Sequence, residues 1–109
     1  MLFRSDSIDC SASTVQVTVN SGTGNDTVTT GSSHDRISTA SGDDIINSGA
    51  GNDTIDGGSG NDTMDSGAGD DSLLGQTGND SIIAGDGDDR IQSGAGTDFI
   101  NCGNGADRA

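Results

Sequence analysis

From Ser21 onward, apolar and polar residues recur with a period of nine that never slips. Cut at that period, the chain reads SGTGNDTVT, TGSSHDRIS, TASGDDIIN, SGAGNDTID, GGSGNDTMD, SGAGDDSLL, GQTGNDSII, AGDGDDRIQ, SGAGTDFIN and a shorter CGNGADRA. Position 8 carries a large apolar residue in every full unit: Val28, Ile37, Ile46, Ile55, Met64, Leu73, Ile82, Ile91 and Ile100. Position 6 is Asp throughout: Asp26, Asp35, Asp44, Asp53, Asp62, Asp71, Asp80, Asp89, Asp98 and Asp107. Each unit therefore predicts a turn over positions 1 to 6 and a short strand over 7 to 9. Alternation along that strand points position 8 inward and positions 7 and 9 outward, one inward side chain per unit. Two units complete a coil, and stacked coils form a repeat solenoid with two parallel sheets. The fold class is all-β.

Residues 1–20 stand outside the register and read as a divergent coil with a partial cap, ahead of the repeat domain over 21–109. Val15, Val17 and Val19 alternate with Gln16 and Thr18, which predicts a strand with one buried face. Asp6-Ser7-Ile8-Asp9-Cys10 echoes Asp98-Phe99-Ile100-Asn101-Cys102. Among the outward strand positions, Arg36, Arg90 and Arg108 fall on one predicted sheet, and Ile45, Ile83 and Phe99 on the other.

Composition sets the energetic problem. The 109 residues include nineteen glycines, and every one falls at position 1, 2 or 4 of its unit. Glycine there supplies backbone conformations closed to other residues. All eighteen acids are Asp against four Arg, a net charge of −14, with no Glu, Lys, Pro, Trp or Tyr. Such a chain lacks the residues of a helical bundle, and its charge argues against nucleic acid or an anionic membrane surface as partner. No stretch is apolar enough to span a membrane, and residues 1–6 contain no secretory apolar core. At 28% hydrophobic, composition alone predicts disorder. Two thin apolar columns do not offset chain entropy by themselves.

The Asp register supplies what is missing. Stacking places Asp26, Asp44, Asp62, Asp80 and Asp98 along one edge and Asp35, Asp53, Asp71, Asp89 and Asp107 along the other. At a rung spacing of roughly 4.8 Å these carboxylates repel unless a cation lies between them. Calcium suits the donors best, since it takes six to eight oxygens and the chain offers carboxylates and turn carbonyls. Magnesium keeps more water, and zinc wants nitrogen or sulfur. An EF-hand at Asp86-Gly87-Asp88-Asp89 fails for want of its Glu. His34, the one histidine, reads as a surface turn residue. The serines have no His partner in register, so a nucleophilic triad has no support and no catalysis is expected. Irregular Thr placement on the strands disfavours an ice-binding surface.

The units resemble the G-G-x-G-x-D-x-U-x nonapeptide of the RTX (repeats-in-toxin) family. The nearest matches are Gly57-Gly58-Ser59-Gly60-Asn61-Asp62-Thr63-Met64-Asp65 and Ser48-Gly49-Ala50-Gly51-Asn52-Asp53-Thr54-Ile55-Asp56. The resemblance implies a right-handed parallel β-roll that bacteria secrete unfolded and that folds on external calcium. It also implies that each ion lies between successive turns, held by both position-6 Asp residues and by glycine-rich backbone. Those carbonyls lie near Gly22, Gly24, Gly42, Gly49, Gly51, Gly58, Gly60, Gly67, Gly69, Gly78, Gly85, Gly87, Gly94 and Gly96. Four Asp pairs on each edge allow up to about eight Ca²⁺, enough to turn −14 into about +2. Ser33, Ala40 and Gln76 replace turn glycines, so backbone strain is expected there. The sites of Asp53, Asp62, Asp71, Asp89 and Asp98 are expected to be the soundest.

Two functions fit: a structural protein that self-assembles outside the cell, or the RTX segment of a larger secreted toxin, protease or adhesin. Cys10 and Cys102 lie about five coils apart, on the order of 20–25 Å at that rung spacing, too far for an intrachain disulfide. A bridge between Cys102 of one chain and Cys10 of the next is geometrically natural. Open solenoid ends template further strands, which predicts head-to-tail stacking into a filament.

Overall fold

In the computed structural model, which describes residues 4–109, eleven three-residue strands alternate between two parallel sheets. β1 (Ser7–Asp9), β3 (Thr27–Thr29), β5 (Ile45–Asn47), β7 (Thr63–Asp65), β9 (Ser81–Ile83) and β11 (Phe99–Asn101) form a six-stranded sheet in that order. β2 (Thr18–Asn20), β4 (Arg36–Ser38), β6 (Thr54–Asp56), β8 (Ser72–Leu74) and β10 (Arg90–Gln92) form a five-stranded one. From β2 onward each strand pairs with the strand two ahead at an offset of eighteen residues, as in Val28↔Ile46 and Ile55↔Leu73. The result is a β-roll of about five coils, a slab whose shortest extent is 13 Å. Among the described residues no helix is long and apolar enough to cross a membrane.

Three side chains per unit point inward, not one. The alternation that buries position 8 continues into the flanking turns, so the position-6 Asp and the position-1 residue face inward as well. Val28, Ile37, Ile46, Ile55, Met64, Leu73, Ile82 and Ile91 form the apolar columns. Beside them Thr30, Thr39, Ser48, Ser66 and Ala84 fill the position-1 columns. The position-1 hydroxyls satisfy the next coil: Thr30 Oγ1 donates to the Ser48 carbonyl, Ser48 Oγ to Ser66, and Ser66 Oγ to Ala84. Small residues at position 1 are thus a packing requirement, because a larger side chain would meet the Asp carboxylate across the turn. At Gly57 and Gly75 an added Cβ would lie 2.5 Å from Oδ2 of Asp62 and Asp80.

The first coil departs from the expected strand. Pairing confines it to Thr18–Asn20, with Val19 buried, Val17 half-buried and Val15 69% exposed. The cause is a two-residue expansion: Ser7 pairs with Thr27, an offset of twenty, and the extra residues are accommodated in the turn that carries Val15. Ile8 still packs against the core, in register with Val28.

Turn departures resolve in two ways. Ala40 and Gln76 accept the left-handed conformation their glycine counterparts use, at φ +70° and +73°. Ser33, expected to be strained likewise, is not in that region. Its turn instead forgoes the bond in which the position-4 N–H reaches the next coil's position-3 carbonyl, as Gly24 does to Ser41 and Gly51 to Ala68.

Candidate metal centre

Each edge of the roll carries one unbroken Asp column. Asp6, Asp26, Asp44, Asp62, Asp80 and Asp98 are joined by one repeated bond: the backbone N–H of each donates to Oδ1 of the Asp one coil on, at 2.7–3.0 Å. Asp35, Asp53, Asp71, Asp89 and Asp107 repeat this on the other edge, where Val17 supplies the first N–H. Asp6 is a member that the nine-residue frame missed, although its echo of Asp98 carried the signal. Position 6 of the first coil on the opposite edge is Val17, so that column starts one coil later, at Asp35.

The bond uses only one carboxylate oxygen. Oδ2 of Asp26, Asp35, Asp44, Asp53, Asp62, Asp71, Asp80 and Asp89 is buried without a hydrogen-bond partner. Asp98 and Asp107, in the final coil, are half-buried. Eight orphaned anionic oxygens in two rows are costly unless a cation satisfies them. Burial pushes the carboxyls of Asp62 and Asp71 up to about 6. It raises Asp44, Asp53, Asp80 and Asp89 as well, with neighbouring Asp residues of the same edge adding to the effect.

The glycine positions contribute unequally. Position-2 carbonyls are engaged in the ladder, as where Ser41 N–H donates to Gly22 and Ala68 N–H to Gly49. No backbone N–H among the described residues donates to the carbonyls of Gly24, Gly42, Gly51, Gly60, Gly69, Gly78 or Gly87. Gly58, Gly67, Gly85 and Gly94 share the positive φ of Gly22 and Gly49, and Gly96 that of the position-4 residues. The free donors are therefore carboxylate Oδ2 and position-4 carbonyl oxygens, a hard and partly charged set that fits calcium. Among the described residues no three His, Cys, Asp or Glu side chains converge on one point, so any ion between coils would draw on backbone carbonyls beside the Asp pair.

Position 5 holds a second ladder that the sequence reading passed over. Asn25 Oδ1 accepts from Asp43 N–H, Asp43 from Asn61, Asn61 from Asn79, and Asn79 from Thr97. On the other edge the series runs His34, Asn52, Asp70, Asp88, with His34 Nδ1 accepting from Asn52 N–H at 2.6 Å. His34 is thus an exposed turn residue with a structural acceptor role. Cys10 and Cys102 are both free, following β1 and β11 at opposite ends of one sheet.

A coiled pair of parallel sheets edged by rows of buried carboxylates, each with one oxygen outside any hydrogen bond, defines a calcium-binding β-roll. The chain matches the family described as RTX calcium-binding nonapeptide repeat over residues 18–46, 38–73 and 74–109, and it belongs to that family. No curated protein and no solved structure gives a match.

Proposed function

We propose that this chain is a calcium-triggered folding module that acts outside the cell, and that it is a binding and structural element, not an enzyme. The observation that carries it is the pair of orphaned Oδ2 rows. On each edge the Asp residues of successive coils, with the position-4 carbonyls, would hold one ion per gap: five gaps on the edge that begins at Asp6 and four on the other, about nine in all. Bound calcium supplies positive charge that reverses the repulsion along each column and satisfies the buried oxygens. Extracellular action rests on family membership, since RTX repeats are typical of secreted bacterial proteins. Equilibrium dialysis against ⁴⁵Ca is expected to reach several ions per chain, and a plateau at one ion or none would sink the two-column reading.

Head-to-tail assembly is the second part of the reading. Asp98 to Cys102 and Asp6 to Cys10 hold equivalent places on the two outer strands of one sheet. A second copy whose β1 followed β11 would continue the register and bring Cys10 beside Cys102 at one rung, about 4.8 Å, within disulfide reach. Under oxidising conditions with calcium, a non-reducing gel is expected to show a ladder that Cys10→Ser removes. A monomer band alone counts against the stacking.

A further inference from the structure

The outer faces of the two sheets are chemically unlike, and they match each other. The outer face of the five-stranded sheet carries Arg36 at the start of β4 and Arg90 at the start of β10, both exposed. No arginine forms an ion pair with a carboxylate among the described residues. In a chain of net charge −14, unpaired guanidinium groups on one face are unexpected. The six-stranded sheet carries no cation on its strands; it has Asp9 at the end of β1 and Asp65 at the end of β7. It also carries Ile45, 55% exposed, at the start of β5.

The spacing is what joins these residues. β4 and β10 are three rungs apart in their sheet, and β1 and β7 are three rungs apart in theirs. The chain reverses at each turn, so strands of the two sheets run in opposite senses. When one copy is translated sideways, strand ends of its six-stranded sheet therefore face strand starts of the next copy's five-stranded sheet. Setting β1 over β4 also sets β3 over β6, β5 over β8 and β7 over β10. That single register places Asp9 opposite Arg36 and Asp65 opposite Arg90. It also places Ile45 opposite Leu74, a half-buried leucine at the end of β8. Asp56, the remaining acid on the five-stranded face, meets Thr27 and no like charge.

We propose that the roll associates laterally with a second copy of itself, the six-stranded face of one against the five-stranded face of the next. The contact is heterologous and does not close on itself, so it propagates into a flat row of parallel rolls. It is also small. A contact about 10 Å wide and four rungs long is on the order of 190 Å² per copy, well below a standard stable interface. Association is therefore weak per contact, rises with concentration and falls with salt. It also requires the loaded chain, because the metal-free charge of −14 repels a second copy.

Charge reversal tests it by sedimentation velocity in saturating calcium and low salt, with reductant present so that no cysteine bridge contributes. Arg36→Asp with Arg90→Asp, and separately Asp9→Arg with Asp65→Arg, are each expected to stay monomeric where the parent chain associates. Mixed together, the two variants are expected to form complexes again. Far-UV circular dichroism on each sample separates lost folding from lost contact. If a variant does not fold, the parent chain alone still decides: its association is expected to weaken several-fold between about 50 mM and 500 mM salt. A parent chain that is monomeric at millimolar concentration, or variants that associate alone as the parent does, would overturn the proposal.

Discussion

Replacing Asp62 by Asn is expected to act in opposite directions with and without calcium. Asn keeps an Oδ1 acceptor for the Asp44 N–H, a bond of 2.9 Å in the parent chain, and its own N–H still faces Asp80. What it removes is a buried charge between Asp44 and Asp80, on a carboxyl that burial has already pushed up to about 6. In chelator, with folding driven by sucrose, the variant is therefore expected to fold at lower sucrose than the parent. In calcium the same change deprives two neighbouring gaps of a charged ligand, and the folding midpoint is expected to move to roughly tenfold higher calcium. A side chain with a purely structural role would shift both measurements the same way.

Proton binding follows the same physics. The folded, metal-free roll holds protons on Asp62 and Asp71 up to about pH 6, whereas the unfolded chain releases them near 3.8. The folded state thus binds more protons in that window, so metal-free stability falls as pH rises from about 3.8 to about 6. Calcium needs the deprotonated carboxylates, so its apparent affinity falls as pH drops through about 6. The parent chain is expected to show both slopes, and Asp62→Asn to flatten them.

The second large effect is steric. Gly60 sits at φ +129°, and a Cβ there would overlap the carbonyl oxygen of Gly42 in the coil before it. Neither partner is a flexible side chain, so one coil must move off the other. Gly60→Ala is expected to cost about 3 kcal/mol or more in saturating calcium, the sum of backbone strain and overpacking. Gly22→Ala is the control. At φ +96° it carries strain, but among the described residues nothing lies within 4 Å of the added Cβ. Its cost is expected to stay near 1 kcal/mol. Equal losses in guanidinium unfolding would mean that coil-to-coil contact at position 4 is not what those glycines protect.

These expectations show which parts of the structure the chain displays openly. A fixed phase between one Asp and one apolar residue was enough to give two sheets, an eighteen-residue coil and both Asp columns. Ala40 and Gln76 occupy positive φ, as their places in the unit required. Position 1 was less legible because its requirement is smallness, which Thr, Ser, Gly and Ala all meet. The position-5 ladder was hidden for a similar reason: Asn, Asp and His34 all offer an acceptor, and the partner lies a full coil away. Val15, Val17 and Val19 misled because alternation does not reveal where pairing stops, and the expanded turn before β2 leaves Val15 in solvent. Ser33 avoided strain by giving up a bond, an outcome that residue identity alone does not announce.

If the roll exists because calcium occupies its two Asp columns, folding of the isolated chain must follow calcium. Far-UV circular dichroism of the isolated chain, recorded in EGTA and then through a calcium titration at neutral pH, tests it most directly. The expected record is a disordered spectrum in chelator that converts cooperatively to β-structure as calcium is added, with magnesium failing to substitute. A β-spectrum that persists unchanged under complete chelation would contradict it.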